Sequence, residues 1–342
     1  MRKKSKKQML KMVWLCAAGF LCILFITFGL YSQVSTNTTF IINRGESVSS
    51  VGARVANEKL VMNKTLFKMA IRLNGGRVQS GEYEIPRGAS AWRIAKIFSR
   101  GRIATVDILI PEGLTIRQIK NLLANSDSLA GAIDCDERQA WGEVCQIADG
   151  DIFPDTYRVA RGTQRMAVLD LAYKKMQDIK NKWVKSRKSP PAPLKNWNEV
   201  IALASIVQKE TPKTSEMPIV ASVYLNRLRR GMRLQADPTV VYALTDGYGD
   251  MQGNPLLRDH LKIDSPYNTY RNNGLPPAPI ANVGIHAIRA VLAPANTNYL
   301  FFVADGKGGH KFSVDFEEHL KNRLDWREIK RQNNPEYEEA FR

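Results

Sequence analysis

One carboxylate stands out for where the sequence puts it. An apolar run, Ala202-Leu-Ala-Ser-Ile-Val-Gln-Lys-Glu210, ends on Glu210 just before Thr211-Pro212, and a second helical pattern then leads to the polar group Gln235, Asp237 and Thr239. An acid at the end of a greasy helix, next to hydrogen-bonding side chains, has the makings of a proton donor near neutral pH. Burial against residues such as Ile206 or Val207 would raise a glutamic acid from about 4.3 toward roughly 6. Spacing alone favours a glutamate that ends a helix in a salt bridge with Lys209 or Lys213.

The helices that must position this acid can be read from their periodicity. Val200, Ile201, Leu203, Ala204 and Val207 give one apolar face over Trp197–Lys209. Ser215 is placed to cap a second helix over Glu216–Arg230, with Pro218 in its first turn and Gly231 as its terminator. Ile219, Val220, Val223, Tyr224 and Leu228 form its buried stripe, and Arg227, Arg229 and Arg230 read as a solvated face. Upstream, a helix over Ala167–Val184 precedes a basic, proline-rich loop at Lys185–Pro193.

A strand, turn and capped helix recur three times, at Ile42-Asn-Arg-Gly45-Glu-Ser47, Ile85-Pro-Arg-Gly88-Ala-Ser90 and Ile110-Pro-Glu-Gly113-Leu-Thr115. The glycine permits the turn, and the Ser or Thr accepts a backbone N–H at the helix start. A shared packing solution explains the repeat as well as a shared function does. Near the C-terminus, the strand-like runs Tyr299–Ala304 and Lys311–Val314 flank Gly308-Gly309-His310, which reads as a hairpin with His310 in its turn.

The N-terminus carries a different signal. Residues 12–31 hold no charge and are long enough to cross a bilayer core of roughly 30 Å as one helix. Arg2, Lys3, Lys4, Lys6, Lys7 and Lys11 precede it, so residues 1–11 are expected in the cytoplasm and the rest outside. A cleaved signal peptide would have a shorter apolar core and an Ala-x-Ala-like site, and none is evident. Of the formal charge of +17, six units lie on this flank, which leaves a basic outer part suited to anionic surroundings. Nucleic acid is not expected as a partner of a chain held outside the cytoplasm, and no zinc-finger spacing or RNA-binding aromatic motif is present. Cys135 and Cys145 lie ten residues apart in the outer region, where an oxidising compartment would let them pair. His260, His286, His310 and His319 are scattered without metal-ligand spacing.

A family resemblance appears once these motifs are taken in order. They are Ala204-Ser-Ile-Val-Gln-Lys-Glu210-Thr, Asn226-Arg-Leu, Gly231-Met-Arg-Leu-Gln-Ala-Asp-Pro-Thr-Val240, Ser265-Pro-Tyr-Asn-Thr-Tyr270, Gly274-Leu-Pro-Pro-Ala-Pro-Ile280 and Phe302-Val-Ala-Asp-Gly-Lys-Gly-Gly-His310. The chain resembles the endolytic peptidoglycan (murein) transglycosylases of the YceG-like family. The resemblance implies an α+β fold: a single N-terminal transmembrane helix, a LysM-like subdomain over residues 39–100, a connecting strand-helix region over 101–150 and a catalytic domain over 151–342. It implies a lyase that needs no cofactor or metal, held in the bacterial inner membrane with its C-terminal part in the periplasm. Its substrate would be nascent glycan strands, cut between MurNAc and GlcNAc to leave 1,6-anhydroMurNAc ends, with peptidoglycan synthases as partners. Glu210 falls on the family's catalytic acid, which acts first as acid and then as base. Gln208 replaces the other carboxylate of the family's Glu-Lys-Glu-like element. Gln235, Asp237, Thr239, Tyr267, Asn268, Thr269 and His310 are the implied substrate-binding residues. The alternative class is a non-catalytic peptidoglycan-binding scaffold of wall synthesis.

Overall fold

The computed structural model describes residues 11–20, 23, 33–43, 45–101, 104–134, 142–186 and 188–333. Residues 11–20 are helical, while 21, 22 and 24–31 of the expected membrane segment lie outside the described residues. No helix among the described residues is long and apolar enough to cross a membrane. The chain divides into two compact units, Met1–Asp107 with Arg158–Thr163, and Ile108–Tyr157 with Gln164–Arg342.

The first unit runs β1 (Thr38–Ile42), α1 (Val48–Asn57), α2 (Lys64–Leu73), β2 (Gly81–Ile85) and α3 (Ala91–Arg100). β1 and β2 pair antiparallel with Phe40 opposite Tyr83. Alternation along both strands turns Phe40, Ile42, Tyr83 and Ile85 onto one face, where Val51, Val55, Phe67, Ile71, Ile94 and Phe98 of the helices cover them. The Phe98 ring centres this core, 5.3 Å from Phe40 and 4.9 Å from Tyr83. Tyr83 can be buried because its hydroxyl donates to the Gln79 carbonyl at 2.7 Å.

The three capped turns form as their sequence requires. Ser47, Ser90 and Thr115 accept from the amides of Ser50, Arg93 and Gln118, and Gly45, Gly88 and Gly113 adopt φ of 80°, 77° and 80°. The third turn opens α4 (Ile116–Ala124) and belongs to the second unit. Of residues 101–150, expected as a connecting region, those described from Ile108 onward belong to the second unit. Buried Asn282 joins them to it, accepting from the Gly150 and Ile152 amides and donating to the Leu114 carbonyl, each at 3.0 Å. Cys145 is disulfide-bonded, and its expected partner Cys135 lies outside the described residues.

Three short strands run across the division: β3 (Thr105–Leu109) pairs with β5 (Thr156–Ala160), and β4 (Leu129–Ala130) with β6 (Thr163–Gln164), the boundary falling within β3, β5 and β6, after which α5 (Arg165–Lys185) belongs to the second unit. Then come α6 (Trp197–Glu210), α7 (Met217–Arg229), α8 (Asp237–Leu244), α9 (Ile285–Leu292), the hairpin β7 (Phe301–Ala304) with β8 (His310–Ser313), and α10 (Phe316–Asn333). α6 is the axis of this unit. Every residue from Val200 to Val207 is buried, so the helix is apolar all round rather than on one stripe, as a central helix must be. α7, α8 and α9 pack around it.

Two local readings need correction. Ser215 does not cap α7, whose N-cap position is Glu216 and has no side-chain cap bond. His310 is not in the hairpin turn but pairs with Ala304 at the start of β8.

Candidate active site

Glu210 is the last residue of α6. Thr211 turns to extended backbone and Pro212 cannot continue the helix, so the carboxyl is presented at the helix end. It lines a cleft of about 510 Å³, within the range of small-ligand sites. Tyr224, about two turns into α7, donates its hydroxyl to Glu210 Oε1 at 2.6 Å. Among the described residues Glu210 has no salt bridge, and the lysines considered as partners go elsewhere: Lys209 to the Gly113 carbonyl and Lys213 to Glu216.

Burial pushes the Glu210 carboxyl up from 4.5 to about 7. The Tyr224 hydrogen bond pulls it down, negative Asp237 pushes it up further, and positive Arg227 pulls it back. By accessible area Glu210 is only partly buried, whereas protein surrounds it almost completely. Both hold for a group on a concave wall: water touches it on one side, and desolvation is large without being total. At neutral pH such a carboxyl is divided between acid and base, which suits a group that must do both.

Arg227, expected on a solvated face, is buried. Its Nε donates to the Leu300 carbonyl at 2.7 Å and its Nη1 to the Leu234 carbonyl at 2.7 Å, and the guanidinium lies 5.2 Å from the Phe301 ring centre. It ties β7 and the loop before α8 to α7 and holds a positive charge near Glu210.

Of the expected binding residues, Gln235 and Asp237 line the cleft with Glu210. Gln235 has φ of 49°, a left-handed conformation that costs a non-glycine residue about 1–3 kcal/mol and persists only where its surroundings enforce it. Thr269 does so, its carbonyl taking the Gln235 amide at 3.1 Å and its Oγ1 the Ala236 amide at 3.0 Å. Asp237 opens α8 and accepts the Tyr270 hydroxyl at 2.6 Å.

The other five do not line the cleft. Thr239 and Thr269 are fully buried and bond each other at 2.8 Å, beneath the Gln235 turn. Buried Asn268 donates to the Leu261 and Ile263 carbonyls, shaping the loop that brings Leu261 to the cleft. Tyr267 packs on Tyr242 with ring centres 4.8 Å apart. His310 bonds Glu216 at 2.7 Å and sets its ring edge-on to Phe302 at 5.3 Å, behind the wall. Gln208 is also structural, accepting the Gly284 amide at 3.1 Å. The polar residues of these motifs build the cleft more than they face it.

The sequence reading missed Tyr224, Arg227 and Tyr270 as well as the α10 residues at the cleft. One signal existed: a tyrosine within an apolar stripe brings a hydroxyl that needs a partner when buried. A larger concavity of about 690 Å³ lies in the first unit beside Trp92, Arg93 and Lys96, but the acid on its wall, Glu84, is exposed. The buried, proton-retaining acid marks the smaller cleft as the candidate for chemistry. Among the described residues no group of His, Cys, Asp or Glu could hold a metal ion.

The sequence profile of the YceG-like family matches residues 40–324. The chain belongs to that family. An endolytic murein transglycosylase of Bacillus subtilis (strain 168) is 29% identical over 314 residues, spanning 84% of this chain and 85% of the relative. One of Streptococcus pneumoniae serotype 2 (strain D39 / NCTC 7466) is 25% identical over 319 residues, spanning 82% of this chain and 57% of the relative. The crystal structure of a putative YceG-like protein from Listeria monocytogenes aligns with a TM-score of 0.50 at 28% identity, covering 83% of this chain and 98% of that one.

Proposed function

We propose that this YceG-like protein is an endolytic lytic transglycosylase that cuts nascent peptidoglycan between MurNAc and GlcNAc. The observation that carries the reading is Glu210, a carboxyl at a helix end that lines a cleft, accepts the Tyr224 hydroxyl and is pushed up by burial to about 7. Protonated Glu210 gives its proton to the glycosidic oxygen as the bond from that oxygen to MurNAc C1 breaks, and GlcNAc leaves with a free hydroxyl. Positive charge then develops at C1, where Asp237 on the cleft wall offers negative charge. The C6 hydroxyl of the same MurNAc attacks C1, and its proton passes to the Glu210 carboxylate. A 1,6-anhydro ring has formed, no water has been consumed, and Glu210 is again an acid.

An ordinary glycosidase needs a second carboxylate to activate water or to attack C1. The intramolecular attack needs one acid that can switch roles, and a carboxyl near its midpoint at neutral pH does so readily. The scaffold alternative gives no reason to keep a buried acid bonded to a buried tyrosine hydroxyl.

Location follows from the sequence. Six basic residues and an uncharged stretch over residues 12–31 support an anchor in the inner membrane with the two units in the periplasm, beside growing strands and the synthases that make them. The β-α-α-β order of the first unit, with its paired strands and capped turns, supports a LysM-like role in holding glycan.

The test is product analysis. Purified protein given nascent peptidoglycan should release anhydro-muropeptides by mass spectrometry, and Glu210→Gln should not. Reducing ends from the wild type would mean hydrolysis and would overturn the lytic mechanism.

A further inference from the structure

The C-terminal helix α10 brings Phe316, His319 and Arg323 to the wall of the Glu210 cleft. Their spacing of three and four residues puts them on one helical face. The His319 ring stacks on Phe301 at 5.1 Å and 24°, and its Nδ1 is buried with no hydrogen-bond partner among the described residues. Arg323 is half-buried. Among the described residues it has no hydrogen bond or ion pair, in contrast to Arg227, whose donors are taken up by backbone carbonyls.

These groups are close enough to act on one another. Burial lowers the His319 pKa, and positive Arg323 and Arg227 lower it further. Arg227 and Arg323 thus bring two positive charges to the cleft, and among the described residues neither of its carboxyl groups, Glu210 or Asp237, forms an ion pair with Arg323. Glu210 keeps its proton to about pH 7, and Asp237 is engaged by Tyr270. A guanidinium partly withdrawn from water and unpaired is costly to keep, and its planar fork matches a carboxylate.

We propose that this face of α10 is a subsite for a carboxylate carried by the glycan, with Arg323 as its anchor and Phe316 beside it. The inference rests on the peptidoglycan reading. The sugar backbone itself presents neutral hydroxyl and acetamido groups, so a carboxylate marks the lactyl substituent of muramic acid or the peptide attached to it. Reading that group would set which strands, bare or peptide-bearing, the cleft accepts.

The test uses full-length Glu210→Gln protein in detergent, which binds without turnover. Three saccharides of equal length are titrated by calorimetry: a neutral N-acetylglucosamine oligomer, a glycan with free lactyl carboxylates and a peptide-bearing glycan. At least one carboxylate-bearing ligand should bind about ten-fold tighter than the neutral oligomer, as a charge-assisted pair predicts. Adding Arg323→Gln should cut that advantage to about two-fold, and Arg323→Lys should keep part of it. The ligand that shows the effect identifies the source of the carboxylate. Equal binding of all three, or an advantage that survives Arg323→Gln, overturns the proposal. Failure of the lytic reading shows separately, as absence of anhydro products from protein with Glu210 intact.

Discussion

Replacing Glu210 with glutamine should make the protein more stable in alkaline solution and change its pH dependence in one direction only. An unfolded chain releases the Glu210 proton near 4.5, whereas the folded protein keeps it to about 7. Below about pH 4.5 both states are protonated and the group contributes nothing to pH dependence. Between 4.5 and 7 the unfolded state ionises first, so stability falls as pH rises, and above 7 the loss is complete. The interval of about 2.5 pH units corresponds to about 3 kcal/mol. The water that reaches the cleft reduces this to about 2–3 kcal/mol. Glutamine keeps an oxygen for the Tyr224 hydroxyl but has no proton to lose. The gap between Glu210→Gln and wild type should therefore widen by that amount from about pH 4.5 to about pH 9. For a unit of this size that is a rise of roughly 4–12 °C in the relative midpoint. Scanning calorimetry of both proteins across this range measures it. A gap independent of pH, or one that widens toward acid, would show that the carboxyl is not desolvated and would remove the basis for a neutral-pH proton donor.

Activity should respond to the neighbours of Glu210 with opposite signs. Tyr224→Phe removes a bond that favours the carboxylate and should move the alkaline limb of kcat/KM to higher pH, and Asp237→Asn removes a repulsive charge and should move it lower, so shifts in the same direction would contradict the assignment. Arg227→Met strips donors from the Leu234 and Leu300 carbonyls and should cost about 3–5 kcal/mol in urea unfolding; a loss below 1 kcal/mol would mean that those carbonyls find other partners. Asn282→Ala leaves the Gly150 and Ile152 amides and the Leu114 carbonyl unpaired, and a fall of about 2–4 kcal/mol by the same measurement is expected. Ser47→Ala removes only a cap on α1, so the first unit should lose about 1 kcal/mol while cleavage rates stay unchanged.

The legible parts of this protein are those governed by neighbours in the chain. Ser47, Ser90 and Thr115 cap their helices because a cap needs only an oxygen and an amide three residues on. α6 ends at Glu210 because Pro212 follows, and α6 and α7 fall within a residue of the expected bounds. α4 shows the limit, since helical spacing from Ile119 serves Leu122 and Leu123 alike, yet Leu123 is buried and Leu122 only half-buried. A helical stripe fixes the face to within about one residue, and the partner that covers it decides the rest.

The polar residues divide differently. Thr239, Asn268, Thr269 and His310 have the chemistry of sugar ligands, and nothing local distinguishes them from Gln235 and Asp237. Their roles diverge because Thr269 comes to lie under the turn before α8 and His310 pairs back onto Glu216, contacts across 30 and 94 residues. Arg227, Arg229 and Arg230 look alike in sequence, yet only Arg227 meets the Leu300 carbonyl, 73 residues away.

By itself, then, the sequence determined the position of the candidate acid, the helices on either side of it and the capped turns, because each depends on interactions within a few residues. The tertiary structure alone decided that the acid is desolvated, that Tyr224 and Arg227 stand beside it and that α10 supplies part of its wall. Desolvation and charge proximity depend on distances through space, and segments a hundred residues apart set those distances only once they have packed.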